Sequence, residues 1–427
     1  MRGNLDRPLS RACHRGERGF TIIEMTVALF ITAEVILAAL ALFDFHNKLA
    51  RVQTSVSDMQ QSLRVAQYDM VRLTRMAGRG SLPAVTQRSP GPQPGQAWGA
   101  VSVRNNVVAG ADQVAVGYSG SPRAVDGTDI LTLRGVFSTP IFQLNPAAPS
   151  FSFNGGSPAA ATAGTVIVCA TTPTGIVQDL SALIAAVAAG QPEALILVNP
   201  RNEGIYAVVE LNPGGSITTV AQPQCPGKNG ILIAFFVTGG TYASQFQALS
   251  ATAGNAGLPP AMNGVGWLGI LEEYRYYVRQ DYVVPNDPTS DPAPHLSRAR
   301  MYPGTEIPYF NQAANLQADV ADNVLDLQVA LGVDANRDGQ IEENNPPDKN
   351  DEWLGNAVGD TLTPAAPLIE VRISTLAKSG NLDWDYQGPL LTTIEDHIYK
   401  VTDFPNTRRG RSYRHRLLQT VVGLRNL

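Results

Sequence analysis

From Phe20 to Phe43 the chain is a largely apolar run whose only charges are Glu24 and Glu34, and the helical pattern continues beyond it. A helix of about 20 apolar residues crosses the ~30 Å hydrocarbon core of a bilayer. Downstream, Leu49, Val52, Val56, Met59, Leu63, Ala66, Met70, Leu73 and Met76 recur at spacings of three and four. The positions between them are mostly Gln, Ser, Asp, Arg and Lys, so the pattern is a single apolar stripe on an amphipathic helix. Gly78 and Gly80 stop it, and Pro83 comes soon after. Residues 20–80 therefore read as one long helix, with 20–43 apolar all round and 44–80 offering one face to bury. A soluble protein has no use for that combination, whereas a membrane-anchored rod with a head on its far end does. Arg11, Arg15 and Arg18 precede the run and place the N-terminus in the cytoplasm. A secretory signal peptide ends its apolar stretch at small residues. Here the polar-to-apolar junction comes before the stretch.

An acid inside a membrane-length apolar helix is costly. A first-turn carboxylate gains ~0.3–1 kcal/mol from the helix macrodipole, which accounts for a glutamate but not for its depth in an apolar run. Gly19-Phe20-Thr21-Ile22-Ile23-Glu24 resembles the cleavage and methylation signature of type IV prepilins and type II secretion pseudopilins. The resemblance implies that residues 1–19 are a leader and that a prepilin peptidase cuts between Gly19 and Phe20 and methylates Phe20. It also implies that the Glu24 carboxylate neutralises an N-terminal amine during filament assembly. Glu34 departs from the family pattern. At a helix centre an acid costs ~2.5–3.5 kcal/mol on insertion scales, so Glu34 is expected protonated in lipid or facing a polar partner.

Residues 81–427 suffice for one large core or two smaller ones. Charged residues are 16% of the chain, below the ~25% of an average soluble domain. With 39 Gly, 30 Pro and many short β-branched runs, this reads as an extracytoplasmic, mainly antiparallel β-rich head, and the fold class as α+β. The net charge of −5 argues against indiscriminate nucleic-acid binding. Strands are expected at Gln113–Tyr118, Asp129–Phe137, Thr165–Ala170, Ala194–Val198, Ile205–Leu211, Ile231–Val237, Leu271–Arg279, Val324–Leu331, Leu368–Ser374 and Leu417–Leu424. A short helix is expected at Ser181–Ala189. Cys13 would leave with the leader, so Cys169 and Cys225 remain, and in an oxidising compartment the two are expected to form a disulfide.

Val320–Gly339, Leu368–Ser379 and the C-terminal run from Tyr413 are similar to the PilW-type minor pilins, in which a strand, a Gly-Val-Asp turn, a second strand and a terminal strand occur in this order. The resemblance says little of residues 91–262, which are expected to hold an inserted sheet.

Asp334, Asn336, Asp338, Gln340 and Glu342, with Gly339 at the sixth position, fit the first part of a calcium loop. The twelfth position is Asn345 where a bidentate glutamate belongs, so the expected affinity is weak unless Asp348, Asp351 or Glu352 completes the cage. The competing reading is an Asp/Asn/Gly turn bonded to its own backbone. Gly264 to Gly269 matches G-x-G-x-x-G, but Tyr274 to Arg279, just downstream, read as a strand where a dinucleotide site needs a helix. Arg408, Arg409 and Arg411 lead a basic cluster that suits a nucleic-acid strand or, as the blander reading, local pairing with acids. No catalytic constellation is visible, and an enzyme is not expected.

The resemblance thus implies a minor pilin of a type IV pilus that helps to prime or cap filament assembly. It would rest in the inner membrane with its head in the periplasm and then enter the filament through helix contacts with other pilins. The alternatives are a minor pseudopilin of a type II secretion system and, from another class, a tip adhesin or DNA-uptake module.

Overall fold

The computed structural model describes residues 20–80, 82, 99–108, 114, 123–144, 151–202, 204–212, 218–221, 225, 229–251, 257–285, 287–334, 336, 338–343, 352–357 and 368–424. The expected leader, most of the expected strand at Gln113–Tyr118, and Asn345, Asp348 and Asp351 lie outside them. The chain divides into two compact units, residues 1–55 and 56–427.

One α-helix, α1 (Ile22–Met76), forms where the periodicity places it. Among the described residues it is the one helix long and apolar enough to cross a membrane. In the first unit its apolar side chains are exposed on every side, from Ile22 and Ile23 through Val35 and Leu37 to Phe43. In the second unit the stripe is buried, at Met59, Leu63, Ala66, Met70 and Leu73. Full burial of such a side chain contributes roughly 1.5–3 kcal/mol, so this part of the helix belongs to the core of the head. Asp69 adds a polar clamp: it accepts the Tyr276 hydroxyl at 2.7 Å and Arg298 Nη1 at 2.8 Å. The helix stops at a turn in which Gly78 and Gly80 take φ of 78° and 104°, left-handed values that favour glycine.

Twelve strands make the larger sheet: β1 (Val101–Arg104), β2 (Ile130–Gly135), β3 (Phe142–Gln143), β4 (Phe151–Phe153), β5 (Ala163–Cys169), β6 (Ala194–Val198), β7 (Tyr206–Leu211), β8 (Thr218–Ala221), β9 (Asn229–Phe236), β10 (Trp267–Arg279), β11 (His295–Met301) and β12 (Ala318–Asp322). The main path runs β1-β2-β10-β6-β7-β9-β5-β4, with β3 and β11 on β10, β8 on β9 and β12 on β11. A second sheet has the order β14-β13-β15-β18, from β13 (Val324–Val333), β14 (Trp353–Leu354), β15 (Leu368–Lys378) and β18 (His415–Gly423). Between its last two strands, β16 (Thr393–Ile394) and β17 (His397–Ile398) form a hairpin. The strand pairs are antiparallel, as in β10 with β2, β6 and β11 and in β15 with β13 and β18. The architecture is α+β.

Two main clusters make the core. One joins Ala66, Met70 and Leu73 of the helix to Leu131, Leu133, Tyr276 and Val278 of the larger sheet and to Leu327, Val329, Val371 and Ile373 of the smaller. The other lies between the opposite face of β6 and β7, at Leu195, Leu197, Ala207 and Val209, and the helix α2 (Ser181–Ala188). The middle of the chain therefore has its own core, but it is not a separate inserted sheet. β6 pairs with β10 from Trp267↔Val198 to Leu271↔Ala194 and continues the same sheet.

Candidate functional site

The N-terminal turn of α1 is a reciprocal cap. The Thr21 N–H and hydroxyl donate to Glu24 Oε2 at 2.9 and 3.1 Å, and the Glu24 N–H donates to Thr21 Oγ1 at 3.2 Å. A threonine with a glutamate three residues on satisfies two helix-end donors at once. Glu24 thus has a local task as well as the assembly task expected of it. The two further threonines of the run are quenched within the helix: the Thr26 hydroxyl donates to the Ile22 and Ile23 carbonyls and the Thr32 hydroxyl to the Ala28 carbonyl. Phe20 is 86% exposed, and Gly19 lies outside the described residues.

The Asp334 loop follows β13. Asp334 accepts the N–H groups of Asp338 at 3.1 Å and Gly339 at 2.9 Å, one on each carboxylate oxygen. Asn336 Oδ1 accepts the Asp338 N–H, and Asp338 Oδ1 accepts the Gln340 N–H, both at 2.8 Å. Glu352, nearly buried, spans the two limbs by accepting the N–H groups of Asn336 and Glu342, each at 3.2 Å. Of the three acids expected to complete the cage, it is the one among the described residues. The donors are all oxygen, which suits a hard cation. Yet no three carboxylates, imidazoles or thiolates among the described residues are gathered to hold a metal, and the bonds to the loop's own backbone explain Asp334, Asn336 and Asp338 as a turn.

Cys169, at the end of β5, and Cys225 form a disulfide across 56 residues, and both are buried. The basic cluster is divided. Arg409 Nε lies 2.6 Å from Asp291 Oδ1, Arg414 Nη2 lies 3.0 Å from Asp383 Oδ2, and Arg411 Nε donates to the Gly388 carbonyl at 2.7 Å. Arg408 is exposed. Arg411 and Arg414 therefore tie the 383–414 segment together and Arg409 ties it to the loop before β11, which favours the local reading. After Gly264 and Gly266 the chain enters β10, not a helix, and the dinucleotide reading has no support.

Two buried polar centres carry no recognisable sequence motif. In the first, Glu273 of β10 bonds Arg134 of β2 at 2.6 Å and Arg275 at 2.7 Å, while Glu306 bonds Arg275 at 2.7 Å and Arg104 at 2.9 Å. Burial pushes the Glu273 carboxyl up, but Arg134 and Arg275 outweigh it and hold it below its usual range. A signal is nonetheless present: Glu272, Glu273 and Arg275 stand in an otherwise apolar and aromatic strand.

In the second, Asp326 of β13 accepts the Tyr399 hydroxyl and pairs with His397 Nδ1 at 2.9 Å, and the His397 ring stacks on Tyr399 with centroids 4.3 Å apart. Burial lowers the His397 imidazole, but Asp326 outweighs burial, with Asp403 and Asp129 behind it, and the net shift is upward. A raised folded value means that this pair's contribution is complete below the unfolded value of ~6.5 and fades as pH rises through the folded one. Urea unfolding at pH 5.5 and 8.5 should show the wild type losing stability relative to His397→Asn as pH rises. An unchanged difference would remove the ion pair from the account.

No known protein family, curated protein or solved structure matches this chain.

Proposed function

We propose that the chain is a minor subunit of a type IV pilus or a closely similar filament, anchored in the inner membrane by the first part of α1 before it joins its fellows. One observation carries this reading: a single helix leaves its apolar first part uncovered, while its second part is buried in a β-rich head. Uncovered apolar surface on that scale calls for lipid or for other apolar helices, and a filament core of parallel helices supplies the latter. The bulk of the head suits a tip or priming position, because a repeating shaft leaves little space around each subunit.

Mass spectrometry of the mature protein tests the class. A chain beginning at methylated Phe20 is expected, and one beginning well past residue 40 would end the proposal. The reciprocal cap makes a sharper test of Glu24 possible. Glu24→Gln keeps a capping side chain and removes the charge, whereas Glu24→Val removes both. Both variants should insert in the membrane and fail to assemble. Normal filaments from Glu24→Gln would reduce the residue to a helix cap.

Calcium in the Asp334 loop is part of the proposal. Asp334, Asn336, Asp338 and the Gln340 carbonyl, with Glu342 or Glu352, would hold it, and an extracellular site tolerates millimolar affinity. Calcium should raise the melting temperature of the wild type but not of Asp338→Ala. If it raises neither, the loop is a turn.

A further inference from the structure

β18 is the last strand of the smaller sheet, and among the described residues it pairs on one side only. Ser379 donates its N–H to the Arg414 carbonyl at 2.8 Å, and Leu424 donates to the Ile369 carbonyl at 2.9 Å. With the register running from Glu370↔Gly423 to Lys378↔His415, the even-numbered residues of β18 are the ones bonded to β15, because antiparallel pairs alternate. The N–H and C=O groups of Leu417, Gln419, Val421 and Gly423 therefore face away from β15. No described strand lies on that side.

Sheet edges are normally blunted by brevity, charge or proline. The other outer strands follow that rule: β1, β4 and β14 have four, three and two residues, and β12 carries Asp319 and Asp322. β18 has nine residues, and the stretch Leu417–Gly423 contains no charge and no proline. Its even-numbered face is fastened to the head, with Leu418 against Met59, Leu63 and Ala377 and Val422 in the main core. On the odd-numbered face Leu417 and Val421 remain 46% and 47% exposed. Arg416 is exposed at the start of the strand, and no carboxylate among the described residues bonds it.

We propose that β18 takes up an extended segment of a different membrane-anchored subunit as a fifth strand. Apolar side chains of that segment stand beside Leu417 and Val421, and a carboxylate at one end stands beside Arg416. Backbone bonds supply the affinity and the alternating side chains the choice of partner. The identity of the occupant as a fellow subunit rests on the filament reading, but the open edge does not. A second copy fits less well. The Met59–Leu73 stripe lies on the sheets of the head, so a two-fold axis through Gln419 would reverse one copy's Val56–Met76 stretch relative to the other's, whereas the filament reading needs the helices parallel.

The test places a photo-crosslinking benzoylphenylalanine at Leu417 or Val421 of the full chain in its own cells, with the exposed Val401 as control. Adducts are expected at 417 and 421 and not at 401, and peptide mapping should place them in one extended, alternately apolar segment of one other polypeptide. Gln419→Pro should abolish them, since it removes an outward N–H but no backbone bond to β15, while Gln419→Thr, which likewise gives up the side-chain bonds to Ser374 and Glu395, should keep them. Val421→Lys, which leaves the ladder intact, should also abolish the adduct at 417, so a folding defect in the proline variant cannot carry the result. Adducts with a second copy, equal adducts at 401, persistence in both blocking variants, or no adduct would overturn the proposal. Missing adducts in a chain with methylated Phe20 defeat the edge proposal alone. Adducts in a chain lacking that modification defeat the filament reading and leave the edge.

Discussion

Replacing Glu273 by alanine should destabilise the head by about 3–5 kcal/mol, the range for breaking a buried ion pair by removing one partner. Arg134 is 1% exposed and would keep neutral partners such as the Gly99 carbonyl at 2.9 Å and the Ser102 hydroxyl at 3.3 Å. Arg275 would retain Glu306, so the cost falls on Arg134. A large part of that cost is the stranded charge and not the lost bond. The double variant Arg134→Met with Glu273→Leu, on directly opposed positions of β2 and β10, should therefore recover most of the stability. Urea unfolding of the four members of this cycle checks it, and additive single and double effects would disprove the coupling. The pH sign comes from the depressed Glu273 value: its contribution is present above the unfolded carboxylate value of ~4.3 and is lost as pH falls through the folded one.

Breaking the Cys169–Cys225 bridge should cost roughly 4 kcal/mol, the chain-entropy value for a loop of this length. The bond closes the segment that holds α2 and β6 to β8, so its loss should loosen the second core cluster first. Cys169→Ser with Cys225→Ser, compared with the oxidised wild type in denaturant, gives the magnitude. Hydrogen exchange locates it, with the largest loss of protection expected in β5 and β9, which pair from Ala163↔Phe236 to Cys169↔Gly230. A loss below about 1 kcal/mol would mean that the unfolded chain is already confined there. Reduction of the wild type should reproduce the variant, because both remove the same restraint.

Some elements are legible in residue spacing and others are not. β6 and β7 are largely apolar runs buried on both faces, β9 is an apolar run that alternates buried and half-buried positions, and such runs read as strands. β11 is hidden because His-Leu-Ser-Arg-Ala-Arg-Met reads as polar. Its arginines find their acids on other elements, Arg298 at Asp69 of the helix and Arg300 at Glu272 of β10. The arginines near the C-terminus read as a cluster in sequence, but in the fold Arg409 and Arg414 are drawn to Asp291 and Asp383 and Arg411 to a carbonyl. At the helix start, the spacing of Thr21 and Glu24 is itself a capping signature, which the resemblance to an assembly motif overshadows.

What the amino-acid order determined alone is the long helix, its apolar first part, the stripe from Met59 to Leu73 and the α+β character. These rest on periodicity and composition over neighbouring residues, which need no knowledge of what lies across the fold. Only the tertiary structure decided that the middle strands extend one sheet, that Arg134 meets a carboxylate 139 residues away, and that β18 has no second neighbour among the described strands. A buried charge is tolerable only where distant chain brings its counter-charge, and a strand is an edge only by virtue of what does not lie next to it.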